Sequence, residues 1–194
     1  MPATAKTIRA FYDNRNDSQI KSGALVFKRR LNHFTRLLPG KKIIDAGCGP
    51  GHDTDYLTRR GFNCLGIDFS RIMLNYARRH FAGRFQKKDL LTLRLRRSSV
   101  DGIWSSAVLM HFSQSRQVKI LESWHRFLRP GGILGLIVPK KTRRRRRARQ
   151  LRLPAYDPAR LRNQLTAAGF LSVYEEKFSC LDKKWLFVLA RKIL

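Results

Sequence analysis

Acidic residues are scarce in this chain of 194 amino acids. Only 13 Asp and Glu stand against 41 Lys and Arg, a formal charge of +28 and a sequence pI near 11.4. Few globular proteins tolerate so much self-repulsion, and such a field draws polyanions. Cysteine is also rare. Cys48, Cys64 and Cys180 form neither an even disulfide set nor a metal pattern, and no His/Cys cluster has zinc-ligand spacing. Long apolar runs are missing as well. The longest, Ile133 to Val138, is far short of the roughly 20 residues a spanning helix needs. The first thirty residues lack an apolar signal region, and Asp13 and Asp17 speak against a transit peptide. Together these absences predict a reducing, cytoplasmic setting (nuclear in a eukaryote) and no membrane partner.

Against that background, residues 42–52, K-I-I-D-A-G-C-G-P-G-H, carry the most information. An apolar run ends at Asp45, glycines follow at 47, 49 and 51, and Asp53 and Thr54 open a helix. A strand that turns on glycines into a helix brings bare backbone N–H groups close to a ligand, where a Cβ would obstruct both turn and ligand. A dinucleotide fits poorly. Its G-x-G-x-x-G fingerprint wants a third glycine, and His52 stands in that place. A carboxylate before the glycines repels pyrophosphate and suits a cationic amine. S-adenosylmethionine (SAM), with an ammonium, a sulfonium and no phosphate, meets that requirement.

Two further acids follow short strands. Asp68 ends the segment 62–67, at about the distance expected of an acid that accepts both ribose hydroxyls, and Ser70 is placed to cap a helix over 71–80. Asp89, after a strand over 84–86, can accept an exocyclic amine, although a lone Asp there is often a turn residue. The pattern continues with a strand at 100–106, a helix at 114–128, the turn Arg129-Pro130-Gly131-Gly132 and a fully apolar strand at 133–138. A helix at 158–168 and strands at 170–178 and 185–191 complete the order. Alternating strands and helices predict an α/β fold with a mostly parallel sheet. The last two strands are joined too closely for a crossover helix and should pair antiparallel.

These segments resemble the class I SAM-dependent methyltransferases. The matching pieces are I-I-D-A-G-C-G-P-G-H-D-T at 43–54, G-I-D-F-S at 66–70, K-D-L at 88–90, V-D-G-I-W-S-S-A-V-L-M-H-F at 100–112, F-L-R-P-G-G-I-L at 127–134, L-T-A-A-G-F at 165–170 and K-W-L-F-V-L-A-R-K at 184–192. The resemblance implies a Rossmann-like seven-stranded sheet in the order 3-2-1-4-5-7-6, strand seven antiparallel, with SAM over the ends of strands one and two. By position, Asp45, Gly47, Cys48, Gly49 and Gly51 would form the methionine-side loop. Asp68 and Phe69 would take the ribose side, Asp89 and Leu90 the adenine, and Ser106 and Ala107 would face the methyl group.

A chain of this length is one domain. Residues 1–38 are expected to form a helical segment over the cofactor and substrate site, and 140–152 a basic, flexible loop. His111, after strand four, is the first candidate for a general base, with a packed histidine as the alternative. Tyr12 could lid the site or lie in a helix core. Tyr156 could face acceptor or solvent. Lys140, Lys141, Arg143, Arg144, Arg145, Arg146, Arg147 and Arg149 form a run that could order on a phosphate backbone. Removing those eight charges still leaves +20, so basicity belongs to the whole surface. RNA or DNA is therefore the expected partner class. A proteome-wide or engineered basicity without a partner is the alternative. The expected activity is methyl transfer to an unidentified acceptor, with the charge leaning toward a nucleic-acid-associated one, and with two alternatives: a small-molecule O- or N-methyltransferase, or a catalytically silent SAM- or nucleic-acid-binding module.

Overall fold

The computed structural model describes Ala10 and residues 27–141, 155–180 and 183–193. Helix α1 (Lys28–Arg36) leads into β1 (Lys42–Ala46), α2 (His52–Arg59), β2 (Asn63–Asp68), α3 (Arg71–His80) and β3 (Arg84–Lys87). Next come β4 (Val100–Ser106), a 3-10 turn (Leu109–His111), α4 (Gln114–Phe127), β5 (Leu128–Pro139), α5 (Pro158–Ala167), β6 (Phe170–Cys180) and β7 (Lys183–Lys192). The strands form a seven-stranded sheet in the order β3-β2-β1-β4-β5-β7-β6. All pairs are parallel except those of β7, which runs antiparallel to both β5 and β6. The predicted topology is the observed one.

Side-chain alternation assigns the two faces. On one, Ile43, Cys64, Trp104, Ile137 and Phe187 meet Leu31 and Phe34 of α1 and Leu57 of α2. On the other, Ile44, Ile103, Leu136 and Val188 meet Ile120, Leu121 and Trp124 of α4 and Leu161 and Leu165 of α5. Central strands buried on both faces must be apolar throughout, which is why 133–138 carries no polar residue. Leu31 and Phe34 sit at helical spacing, and both are fully buried; each contributes roughly 2 kcal/mol of burial. The described end of the N-terminal segment, α1, thus covers a sheet face. The rest of it, Tyr12 included, lies outside the described residues.

Local chemistry sets the helix ends. Ser70 Oγ accepts the Met73 N–H at 3.3 Å, and Arg78, Arg79 and His80 occupy the last turn of α3, where cations complement the helix dipole. Asp157 caps α5 through the Ala159 and Arg160 N–H groups, with Pro158 in the first turn.

One boundary differs from expectation. Residues 129–132 do not separate helix from strand. The strand begins at Leu128, which pairs with Val100, and the ladder shifts register before Gly102↔Ile133. Gly131, at φ +75, absorbs the irregularity, as a bulge does. The last two strands also extend further, to Cys180 and from Lys183.

Candidate active site at the strand tips

The C-terminal ends of β1, β2 and β4 converge on an acidic crevice. Asp45, only 2% exposed, points to the α2 side, where the Thr54 hydroxyl donates to its Oδ2 at 2.6 Å. Asp53 accepts the Trp104 indole N–H at 2.8 Å, tying the start of α2 to β4. Asp68, 8% exposed, accepts the Gly49 N–H at 2.9 Å on Oδ2 and the Ser70 N–H at 2.8 Å on Oδ1. The predicted ribose acid therefore also fixes the glycine loop.

The loop does not present bare N–H groups as expected. Gly47 and Cys48 both donate to the Ile67 carbonyl, at 2.7 and 3.0 Å, and Gly51 donates to the Cys48 carbonyl at 3.0 Å. The physical reason is register. Ala46 pairs with Ile67, so the chain leaving β1 continues the ladder onto β2. What the glycines supply is backbone freedom and space. Gly47, Gly49 and Gly51 all have positive φ. A Cβ on Gly47 would collide with the Val108 methyls, and one on Gly51 would meet Phe85 at 2.8 Å and Ala77 at 2.9 Å. A Cβ on Gly49 would meet nothing within 4 Å. Gly49 is thus the point where the loop opens onto free volume.

Burial pushes the Asp45 carboxyl well above its usual range, and Asp53 and Asp68 push it further, while Thr54 pulls it down. Burial likewise raises Asp53, against the Trp104 hydrogen bond. The neighbours acting on Asp45 are two carboxylates and a threonine. A proton or a ligand cation is what this arrangement lacks. Burial also raises the Cys48 and Cys64 thiols, helped by the same carboxylates, which leaves both thiols un-ionised and unreactive at neutral pH.

The other predicted positions are less uniform. Asp89 is exposed; its Oδ1 accepts the Leu91 N–H at 2.9 Å, and its carbonyl accepts the Thr92 N–H. It closes a turn beside β3. Lys88 N–H donates to the Asp68 carbonyl at 3.0 Å, which holds that turn against the β2 exit, next to Phe69. The Leu90 side chain is buried in the main core. Ser106 ends β4 opposite Ile137. Ala107, at φ +57, donates to the Ile137 carbonyl at 2.8 Å and then turns the chain away. Such a φ is uncommon for a residue with a Cβ and marks a constrained site.

His111 follows on the 3-10 turn. Burial lowers its pKa to about 4, with the Ala107 backbone pulling upward, so its imidazole is neutral at physiological pH. His52, at the start of α2, packs its ring 4.6 Å from that of Phe81.

Tyr156 occupies the lane that β4 vacates. Its N–H donates to the Pro139 carbonyl at 2.7 Å, and its carbonyl accepts the Lys141 N–H at 2.9 Å, so it bridges Lys140 in parallel register. It is 7% exposed and belongs to the core beside α5. Of the basic run, Lys140 and Lys141 leave the tip of β5; Arg143, Arg144, Arg145, Arg146, Arg147 and Arg149 lie outside the described residues. Thr54 and the Asp53–Trp104 pair are site features that sequence reasoning had not singled out.

Residues 43–132, a little under half of the chain, match the family model described as a methyltransferase domain, and the seven-stranded fold is shared with SAM-dependent methyltransferases of known structure. Among curated relatives, it is 35% identical over 96 residues to a malonyl-[acyl-carrier protein] O-methyltransferase of Pectobacterium atrosepticum, covering 49% of this chain and 37% of that one. It is 26% identical over 123 residues to a phosphoethanolamine N-methyltransferase of Plasmodium falciparum, covering 61% and 46%. The chain thus spans less than half the length of these relatives. Among solved structures, a Burkholderia thailandensis 1,6-didemethyltoxoflavin-N1-methyltransferase with bound S-adenosylhomocysteine superposes with a TM-score of 0.81 at 21% identity, covering 100% of this chain and 93% of that one. The Synechocystis PCC 6803 magnesium protoporphyrin IX methyltransferase with bound SAM gives 0.76 at 18%, covering 98% and 100%. Likeness at these identities establishes the fold. Among the described residues, no helix is long and apolar enough to cross a membrane.

Proposed function

We propose that the chain binds SAM over the tips of β1 and β2 and promotes transfer of its methyl group to an acceptor held beyond β4. One observation carries this reading: three carboxylates, Asp45, Asp53 and Asp68, gather around a glycine turn whose open point is Gly49. The donor set suits an ammonium, and the free volume beside Gly49 admits a ligand. In the assignment, Asp45 and the Gly47–Gly51 loop hold the methionine end, Asp68 and Phe69 the ribose, and Asp89 with Leu90 the adenine.

When bound, SAM supplies a methyl group made electrophilic by its sulfonium. Nucleophilic displacement there depends mostly on alignment. Ser106 and Ala107 form the wall that the methyl group faces, and the constrained turn at Ala107 keeps that wall in place. His111, held neutral by burial, offers a hydrogen bond to the acceptor and is too weak a base to remove a proton from an alcohol at pH 7. Tyr12 remains a proposed lid from the N-terminal segment.

For the acceptor, the strong positive charge supports an RNA- or DNA-associated substrate, with Lys140 and Lys141 leading the basic run away from the β5 tip. A small-molecule acceptor is the second reading, favoured by the activities for which the curated relatives are named. A reducing cytoplasmic setting suits three unbonded cysteines. The test is calorimetric titration with SAM and S-adenosylhomocysteine, then transfer of radiolabelled methyl from SAM into RNA, protein and metabolite fractions. Micromolar binding that Asp68→Ala weakens at least tenfold is expected. Equal binding by that variant overturns the site, and binding without label transfer leaves a silent module.

A further inference from the structure

The opposite end of the sheet carries the opposite charge. Where β1, β4 and β5 begin and β7 ends, the chain brings together Lys42, Arg97, Arg126, Arg129, Arg191 and Lys192. Two backbone hydrogen bonds, Ser98 N–H to the Arg126 carbonyl at 2.9 Å and Ser99 N–H to the Phe127 carbonyl at 2.8 Å, fasten the loop before β4 to the end of α4, just ahead of β5. Lys192 Nζ donates to the Leu128 carbonyl at 2.8 Å, which anchors the end of β7 to the same junction. That bond satisfies the ammonium's geometry but not its charge. Lys192 stands close enough to Arg97 for the guanidinium to add to the burial that lowers its pKa, and His125 is lowered by burial and by Lys192.

Asp101 is the acid that the described residues place among these cations. Its side chain is 4% exposed and is already shared by the Arg129 guanidinium at 3.0 Å and the Lys42 N–H at 2.8 Å. Glu122 lies one turn back on α4, yet the Arg126 guanidinium donates to Ser123 Oγ at 2.8 Å. Among the described residues, Arg97, Arg126 and Lys192 therefore form a like-charged group without a bonded carboxylate, and Arg191, opposite Ile133, adds its charge at the same sheet end on the other face. Such crowding costs free energy that a counter-anion would recover.

We infer that this end of the sheet is a docking surface for the phosphate backbone of a nucleic acid, remote from the acidic crevice. The cations follow four adjacent lanes, β1, β4, β5 and β7. At ordinary strand spacing that is a track of roughly 14 Å, long enough to meet several successive phosphates. Four of the six cations are arginines, whose planar forks match phosphate oxygens. The large apolar side chains exposed at this end are Leu171 and Ile193; they stand singly at the rim, too little surface to seat a membrane. A chain retained on nucleic acid by this end would leave its cofactor crevice open. The inference extends the nucleic-acid part of the reading above and does not depend on methyl transfer. Failure to bind S-adenosylhomocysteine would remove the enzyme and leave this surface standing.

The experiment is fluorescence anisotropy of a labelled 20-nucleotide oligo(U) RNA titrated at several salt concentrations. It compares the parent with the double variant Arg97→Ser/Arg126→Ser, with thermal melting and S-adenosylhomocysteine titration as controls for folding. Loss of two phosphate contacts should reduce the slope of log K against log salt by about 1.4, with melting and S-adenosylhomocysteine affinity unchanged. An unchanged slope overturns the proposal. So does a variant that keeps its RNA slope and loses binding to vesicles containing phosphatidylserine, since the partner would then be an anionic membrane.

Discussion

The Thr54 hydroxyl, on the third residue of α2, donates to Asp45 at 2.6 Å and favours the ionised form of that buried carboxyl. Thr54 is itself fully buried. Replacing it with valine preserves shape and removes the donor. Against burial and two carboxylates, Asp45 then keeps only the hydrogen bond from the residue 54 backbone. Thr54→Val should weaken S-adenosylhomocysteine binding about tenfold at pH 7 and less at pH 9, because raising the pH favours the ionised carboxylate. Calorimetry at the two pH values checks it; equal weakening at both would mean that Thr54 acts by shape alone.

Asp45 also predicts a direction for stability. Its folded pKa is raised, so the native state holds a proton that the unfolded chain releases above about pH 4. Stability from this group is present at low pH and declines as pH rises through that value toward the folded pKa. His111 opposes it. Its folded pKa of about 4 lies below the unfolded value, so its contribution is present above about pH 6.5 and is lost as pH falls toward 4. The bare melting profile mixes the two. The difference between Asp45→Asn and the parent isolates the carboxyl, and the variant should gain relative stability as pH goes from 4.5 to 7.5. A constant difference in melting temperature would show that Asp45 is ionised in the free protein.

Gly47 and Gly49 should respond differently to alanine. Both have positive φ, at +79 and +52, which costs a residue with a Cβ about 1–2 kcal/mol. At Gly47 the new methyl also meets Val108. Gly47→Ala should lower the melting temperature more, and adding Val108→Ala should recover part of the loss. Gly49→Ala should fold with only the conformational cost and still lose ligand, because the methyl enters the open volume. Unimpaired S-adenosylhomocysteine binding by Gly49→Ala would place the ligand elsewhere.

Topology and the placement of acids at the strand tips were legible in advance because they depend on local pattern. Apolar runs alternate with helices, two of them capped by Ser70 and Asp157, and Asp45, Asp68 and Ser70 sit where strand and helix boundaries put them. Asp68 was found from its distance to the glycines, and its 2.9 Å hold on Gly49 was not. That bond, like the Gly47 and Cys48 pairing to Ile67, depends on how far β2 runs beside β1, which composition does not encode. The Trp104–Asp53 bond joins residues 51 apart and required knowing which face of β4 meets α2. Arg129-Pro130-Gly131-Gly132 has turn chemistry but lies within β5, because pairing of Leu128 with Val100 outweighs local preference. A helical periodicity for α1 was readable; the sheet face it covers was a matter of packing.

Tyr156 offers the sharpest separation of stability from catalysis. Its hydroxyl is buried and has no hydrogen-bond partner among the described residues, and burial, partly countered by Arg160, raises the phenol well above its ordinary pKa. The group therefore stays neutral. An unmet buried hydroxyl costs about 1–3 kcal/mol, so Tyr156→Phe should raise stability or leave it unchanged in urea denaturation. The backbone bonds to Pro139 and Lys141 do not involve the side chain and remain. If the hydroxyl completes its bonding on an acceptor beyond β4, the same variant keeps its S-adenosylhomocysteine affinity while label transfer into the methylated fraction falls. Destabilisation by more than 1 kcal/mol would instead reveal a partner for the hydroxyl within the folded chain.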